Sequence, residues 1–244
     1  GKLFWVMQYI RFKRGARNRD RSFQSMRVLL ISANATRTPH PVYPLGLDYL
    51  VGALTPRHEV HLLDVNEAGG EQRIQAAVRD FHPEVVGLSI RNIDNVDTTA
   101  VKNFVPGYER IVGLLRRCTE APILLGGSGF SIFPGELMSL LDADFGVVGE
   151  GEQTVCLLDA LEKGDDPSAL PGILVRGGAV REPVSWTGAV TRRMRPADDI
   201  RQFYLEHGGI LNLQTKRGCP FRCIYCTYPY MEGHRMRLVP PREV

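Results

Sequence analysis

From residue 26 onward, short runs of consecutive apolar residues alternate with segments whose apolar positions recur every three or four residues. The continuous runs Val28–Ser32, Glu59–Asp64, Val85–Ile90, Pro122–Leu125 and Phe145–Val148 read as buried strands. The periodic segments Leu45–Leu54, Arg73–Phe81, Val105–Cys118, Pro134–Leu141 and Gln153–Glu162 read as helices, the second ended by His82-Pro83. Strand and helix alternate five times, which predicts an α/β fold with a doubly wound, parallel, five-stranded sheet. Crossover helices cover both faces of such a sheet, so its strands are apolar throughout. Ligands of these folds sit beyond the carboxyl ends of the strands. Here those ends are Asn34–Pro44, Asp64–Gly70, Arg91–Asp97, Gly126–Phe130 and Gly149–Glu152.

After residue 163 the pattern changes. Gly172–Arg176 and Ala179–Arg181, joined by Gly177-Gly178, read as a small hairpin, and Pro183 to Pro196 as an extended linker. Asp198–Tyr204 reads as a short helix and Gly209–Gln214 as a strand leading into a group of cysteines. The predicted organisation is a leader over 1–25, an α/β domain over 26–163, a linker with hairpin over 164–207, and a new domain beginning at 208–244.

Composition adds exclusions. Of 244 residues, 43% are hydrophobic and 23% charged, which excludes a wholly disordered or low-complexity chain. No apolar run approaches the ~20 residues of a membrane-spanning helix. The net charge is +3, but residues 1–25 hold seven bases and one acid, a local +6, so the remainder carries −3. That remainder gives no warrant for nucleic-acid binding. The leader reverses the order of a secretory signal, with its apolar run first and its basic stretch second. It reads as an extension without a role in the fold, Met26 as a natural start, and deletion of 1–25 is expected to leave folding unchanged.

Of five cysteines, Cys118 and Cys156 lie singly in predicted helices and read as buried small hydrophobes. The other three form Cys219-Pro-Phe-Arg-Cys223-Ile-Tyr-Cys226. Soft thiolates at this spacing suit zinc or an iron–sulfur cluster. Zinc sites close with four ligands, often as two Cys-x-x-Cys pairs, and no second pair is present; His234 could supply a fourth ligand from a polar loop. A cluster with three protein ligands and one open iron fits better. His40, His58, His61, His82 and His207 read as loop or surface residues.

Cys-x3-Cys-x2-Cys after a predicted strand, with Tyr225 before the last cysteine, resembles the radical S-adenosylmethionine superfamily. The resemblance implies that Cys219, Cys223 and Cys226 hold three irons of a four-iron, four-sulfur (4Fe-4S) cluster. The fourth iron would chelate S-adenosylmethionine, with Tyr225 near its adenine. The continuation to Arg237 resembles a subgroup that carries an amino-terminal, Rossmann-like cobalamin-binding domain. In that domain Ser89, at the end of the third strand, and Gly126-Gly127, at the end of the fourth, would receive the nucleotide tail of cobalamin. The stretch Pro44-Leu-Gly-Leu-Asp-Tyr-Leu50 and the loop Gly149-Glu150-Gly151-Glu152 also resemble the subgroup, and Arg91, Gly149, Glu150 and Gly151 would contact the cofactor. Gly127→Val is therefore expected to weaken cobalamin binding far more than the fold, and Ser89→Ala to weaken it less.

One departure concerns cobalt. Many cobalamin domains place Asp-x-His-x-x-Gly after the first strand, but that loop here is Ala33–Pro39 and lacks it. Asp64-Val-Asn66-Glu-Ala-Gly69 mimics the spacing after the second strand, with Asn66 in place of histidine, and reads as coincidence.

The resemblance implies a radical enzyme that cleaves S-adenosylmethionine to a 5′-deoxyadenosyl radical, abstracts hydrogen from an unactivated carbon and delivers a methyl group from methylcobalamin. Rearrangement or cyclisation without methyl transfer is the alternative within the group, and a non-catalytic cobalamin-binding fragment the alternative outside it. A methylthiotransferase would need three cysteines in the first domain, where only Cys118 and Cys156 occur. Further implied partners are a small-molecule, lipid or natural-product substrate and an electron donor such as flavodoxin or ferredoxin, in the cytoplasm. A radical barrel takes about six strand–helix units of roughly 30 residues. Only its first strand and cluster loop are expected here, with Val239–Val244 opening a helix.

Overall fold

The computed structural model describes residues 25–68, 70–95, 97–192 and 199–242. The leader expected over 1–25 therefore lies, but for Ser25, outside the described residues. Within them the chain runs β1 (Arg27–Ser32), α1 (Leu45–Leu54), β2 (Glu59–Asp64), a single-turn α2 (Val65–Ala68), α3 (Glu71–Phe81) and β3 (Val85–Ser89). It continues with α4 (Val105–Cys118), β4 (Ile123–Gly126), α5 (Ser128–Ile132), α6 (Pro134–Leu140), β5 (Phe145–Val147), α7 (Thr154–Lys163) and β6 (Ile173–Val175). The last elements are α8 (Asp199–Gly208), β7 (Lys216–Arg217), α9 (Tyr228–Glu232) and β8 (Arg237–Leu238).

The main sheet has the order β2-β1-β3-β4-β5-β6. The first five strands are parallel, and β6 adds antiparallel to β5 with Phe145 opposite Val175 and Val147 opposite Ile173. Successive side chains of a strand point to opposite faces. Leu29, Ile31, Val86, Leu88, Ile123 and Leu125 accordingly pack with α3, α4 and α6 on one face. Val28, Leu30, Val85, Leu124, Phe145 and Val147 pack with α1 and α7 on the other. The strand order reverses between β1 and β3, which is where doubly wound sheets open a ligand crevice.

Three expectations are corrected. The sheet has six strands because Ile173–Val175, expected as one arm of a separate hairpin, is apolar and buried to 5% exposure or less on β5. Its expected partner Ala179–Arg181 forms no strand, although Arg181 O accepts from Gly172 N at 3.1 Å. Gly209–Gln214 forms no strand either: Ile210 and Leu213 are exposed, and the ladder begins at Lys216–Arg217, paired antiparallel with Arg237–Leu238. Residues 239–242 are not helical, and 243–244 lie outside the described residues.

α8 closes the carboxyl end of β2. Tyr204, fully buried, packs edge-on against Tyr43 at 5.4 Å between ring centres. Its hydroxyl donates to the buried Asp64 carboxylate at 3.2–3.3 Å. Asp64 also accepts from Glu67 N at 3.0 Å. Burial raises its carboxyl above the usual range, against the opposing pull of bonds from Ser32, Glu67 N and Tyr204. Asn66 is enclosed as well, its amide donating to Thr36 O and to Tyr204, each at 3.4 Å. Asp64 and Asn66 thus serve to seat α8.

Candidate functional site

A cavity of about 400 Å³ opens at the carboxyl ends of the parallel strands. Its buried end is apolar, formed by Val28, Leu30, Gly87, Leu124 and Val147 from the α1–α7 face of the sheet. Gly87 admits this depth, since a β-carbon there would stand 2.8 Å from Leu30 Cδ2. α1 contributes Leu47, Tyr49 and Leu50. An apolar recess with a few polar groups at its mouth is the usual composition of a cofactor site.

The polar groups come from strand ends. Ser32, Asn34, Ser89 and Arg91 line the mouth. Asn34 is only 4% exposed; its Oδ1 accepts from Thr36 N at 3.3 Å, while its Nδ2 is buried with no partner. A buried amide donor without a partner carries a desolvation cost that a bound acceptor would remove. Asn34 carries no sequence signal beyond its place after β1.

The two glycines after β4 play different parts. Gly126 lines the cavity, and a β-carbon there would meet only Val147 O, at an ordinary 3.7 Å. Gly127 also lines it, but its φ is +98° and its β-position points into backbone, 2.5 Å from Ile90 O. Gly127 is therefore required by the chain itself, in the left-handed region and in close approach. Ser131 N and Ser131 Oγ donate to Gly127 O, and Ser128 Oγ donates to Arg91 O at 3.0 Å. The expected separation of binding from folding in Gly127→Val does not hold, because valine would collide with the Ile90 peptide.

Gly149, Glu150 and Gly151 line the cavity too. Glu150 is 5% exposed and both of its oxygens are committed. Oε2 accepts from Arg217 at 2.8 Å, and Oε1 from Arg237 at 2.7 Å and from Trp186 N at 3.0 Å. Arg217, equally buried, also donates to Glu152 Oε1 at 2.7 Å, and its guanidinium lies 4.8 Å over the Tyr49 ring. Burial opposes the Arg217 charge, but Glu152 and Glu150 outweigh it and hold the guanidinium firmly protonated. The sequence pattern assigned Arg217 no role, because ion pairs between residues 67 and 65 positions apart leave no local signal, whereas Tyr49 lies in the stretch Pro44–Leu50 that resembles a loop of the subgroup.

The three cysteines are not among the residues that line the cavity, although the segments on either side of them are. Cys219 is half-buried and Cys223 and Cys226 are exposed, all three as free thiols. Tyr225 is 86% exposed and Ile224 wholly so. Cys226 N donates to Cys223 O and Cys219 N to Gly233 O, each at 3.1 Å. Among the described residues no three His, Cys, Asp or Glu side chains are gathered as a metal site, the triplet included. Three thiols on one short loop are the soft ligands that an iron–sulfur cluster takes. Two further corrections follow: Cys118 is exposed and Cys156 half-buried, not core hydrophobes, and His58 is buried at 4% exposure rather than on the surface.

The chain is similar to tryptophan 2-C-methyltransferase of Streptomyces laurentii, at 28% identity over 84% of this chain and 44% of that protein. Among solved structures it is similar to the radical S-adenosylmethionine methyltransferase TsrM of Kitasatospora setae with tryptophan and a S-adenosylmethionine analogue bound. That match has a TM-score of 0.76 and 29% identity over 90% of this chain and 44% of that one. The same enzyme with cobalamin and a 4Fe-4S cluster bound matches with a TM-score of 0.74 and 28% identity, covering 91% and 44%. The chain thus spans less than half the length of these relatives. Residues 31–159, more than half of the chain and the stretch that supplies most of the cavity, match the model of the B12 binding domain. With every parallel strand in place around a strand-end cavity, the chain belongs to the B12-binding domain family.

Proposed function

We propose that the chain holds cobalamin in the strand-end cavity and is the cofactor-bearing part of a radical S-adenosylmethionine enzyme that methylates a carbon of a small-molecule substrate. The observation that carries this reading is shared lining. The cavity is bounded both by strand ends of the B12-binding domain and by Gln214, Arg217, Tyr228 and Met231, which flank the cysteine triplet. A ligand there touches the segment that bears the thiols. TsrM, similar over most of this chain, is a methyltransferase.

In this reading the unpartnered amide of Asn34 donates to a polar acceptor of the cofactor, and Ser89 offers a second hydrogen-bonding group at the mouth. Gly126 leaves room for a flat ring, and the apolar recess from Val28 to Val147 excludes water from it. Arg91 sets a positive charge at the mouth, and Gly149, Glu150 and Gly151 shape the side next to the cysteine segment. Cys219, Cys223 and Cys226 are the ligands for a 4Fe-4S cluster, with Tyr225 beside S-adenosylmethionine. When bound, cobalamin would supply the transferable methyl group and the cluster a single electron for S-adenosylmethionine, drawn from a reduced carrier such as flavodoxin or ferredoxin. The division into a cobalamin unit over 26–163, a connection over 164–207 and a cluster segment over 208–244 belongs to this proposal.

Anaerobic reconstitution with iron, sulfide and hydroxocobalamin, followed by gel filtration and absorption spectroscopy, tests it. Cobalamin bands and a broad iron–sulfur band should both elute with the protein. Failure to retain hydroxocobalamin overturns the reading of the cavity, and a colourless protein after iron loading overturns that of the triplet.

A further inference from the structure

Arg217 is two residues before Cys219 and ends β7, its partner in β8 being Arg237. Both arginines end on one glutamate, Glu150, at the carboxyl side of β5. Arg237 also donates to Trp186 O and Glu232 O, and Gly218 N donates to Glu232 Oε2 at 3.2 Å. Both ends of the segment 217–237 are thereby anchored on the loop Glu150–Glu152, one by the buried Arg217 and the other by the half-buried Arg237. Elsewhere the segment is thinly held: Phe221, Ile224 and Tyr225 are largely exposed, and its strands are two residues long. Arg217 also packs on Tyr49, a cavity residue, so the anchor and the ligand crevice share a wall.

We infer that Arg217, forked between Glu150 and Glu152, is a positioning residue that fixes the cysteine loop against the cobalamin crevice, so that occupation of the crevice is communicated to the three thiols. The fork matters because a guanidinium can bond two carboxylates at once in a fixed plane, whereas an ammonium is a point charge. Arg217→Lys keeps the charge, so neither glutamate is left facing an uncharged side chain, and removes the geometry. The communication to the thiols rests on the cobalamin reading; the anchoring does not.

The test has two arms on the full chain. In the first, without cofactors, hydrogen exchange is compared between the parent protein and Arg217→Lys. Amides of 216–238 should exchange at least tenfold faster in the variant while those of β1, β3 and β4 keep their protection. Unchanged exchange in 216–238 overturns the inference, as does an equal rise throughout, which would mark Arg217 as a support of the whole fold. If Arg217→Lys fails to fold, Glu152→Gln, which takes the charge from one of the two arms of the fork, is read in its place, and failure of both to fold counts as the second of those results. In the second arm, hydroxocobalamin should slow alkylation of Cys219, Cys223 and Cys226 at least fivefold in the parent and by less than twofold in Arg217→Lys, with Cys118 as the internal reference. Equal slowing in both proteins, or none in a parent that retains hydroxocobalamin, overturns the communication. A parent that does not retain hydroxocobalamin overturns the cobalamin reading and the communication with it, and the first arm then decides the anchor alone.

Discussion

The β-position of Gly127 lies 2.5 Å from the carbonyl oxygen of Ile90, so the turn after β4 and the end of β3 are in backbone contact. Gly126, one residue earlier, would meet only Val147 O there, at an ordinary 3.7 Å. The pair predicts opposite outcomes. Gly127→Val should lower thermal stability sharply, by roughly 2–4 kcal/mol from left-handed strain and overlap with a peptide. Gly126→Val should melt within a few degrees of the parent and lose hydroxocobalamin binding. Calorimetry and gel-filtration retention read the two, and a Gly126→Val protein that binds like the parent would remove Gly126 from the site.

Asn34 should matter more to the loaded protein than to the empty one. In the empty protein Asn34→Ala loses the bond to Thr36 N, worth about 1 kcal/mol. In the loaded protein it also loses the donor that now lacks a partner, so hydroxocobalamin affinity should fall by about three- to tenfold. Ser89→Ala should weaken affinity by no more than this. Equilibrium titration followed by absorbance would decide, and an unchanged affinity would assign Asn34 to the fold alone.

Iron–sulfur absorption should depend on three thiols and not on five. Alanine at Cys219, Cys223 or Cys226 should abolish the broad band after anaerobic reconstitution. Alanine at Cys118 or Cys156 should leave it intact, since these lie on α4 and α7. Cys118 is exposed, so the control also shows whether a surface thiol collects iron by itself.

His58 predicts an acid-sensitive fold. Its Nδ1 accepts from Met26 N at 3.3 Å, and its Nε2 is enclosed without a partner. Burial lowers its basicity and Arg57 lowers it further, against Glu162 and Asp159, which raise it. The folded protein therefore binds the proton less readily than the unfolded chain. Stability should be full above the unfolded value near 6.5 and fall as the pH drops through it, by at most ~1.4 kcal/mol per pH unit from this one group. His58→Gln should flatten that slope between pH 7 and 5. Urea unfolding at three pH values would measure it, and parallel slopes in parent and variant would clear His58 of the effect.

The parallel sheet was legible because its signals are local. An apolar run such as Val28–Ile31 needs no knowledge of its neighbours, and helices Leu45–Leu54 and Val105–Cys118 show their period within the segment. The direction of β6 was not legible, since three apolar residues pair as well with a neighbour running either way. The ladder at Lys216–Arg217 was missed for the opposite reason: it has no apolar signature, and its register comes from charges held by Glu150 and Glu152. In the crevice, the glycines, Ser89 and Asn34 stand at strand ends that the pattern locates, whereas Arg217 acquires its position only when distant segments meet.

The antiparallel direction of β6 gives the protein two unlike poles. Arg176 N bonds Asp144 O just before β5, so the turn Gly177-Gly178 lies at the amino end of the sheet, opposite the crevice. The chain must then climb the full height of the sheet before Trp186 reaches Glu150. Gly177 faces open space. That turn is a natural attachment point for a peptide tag, a dye or a surface tether, and a molecule held there would present its cofactor mouth and its cysteine loop outward.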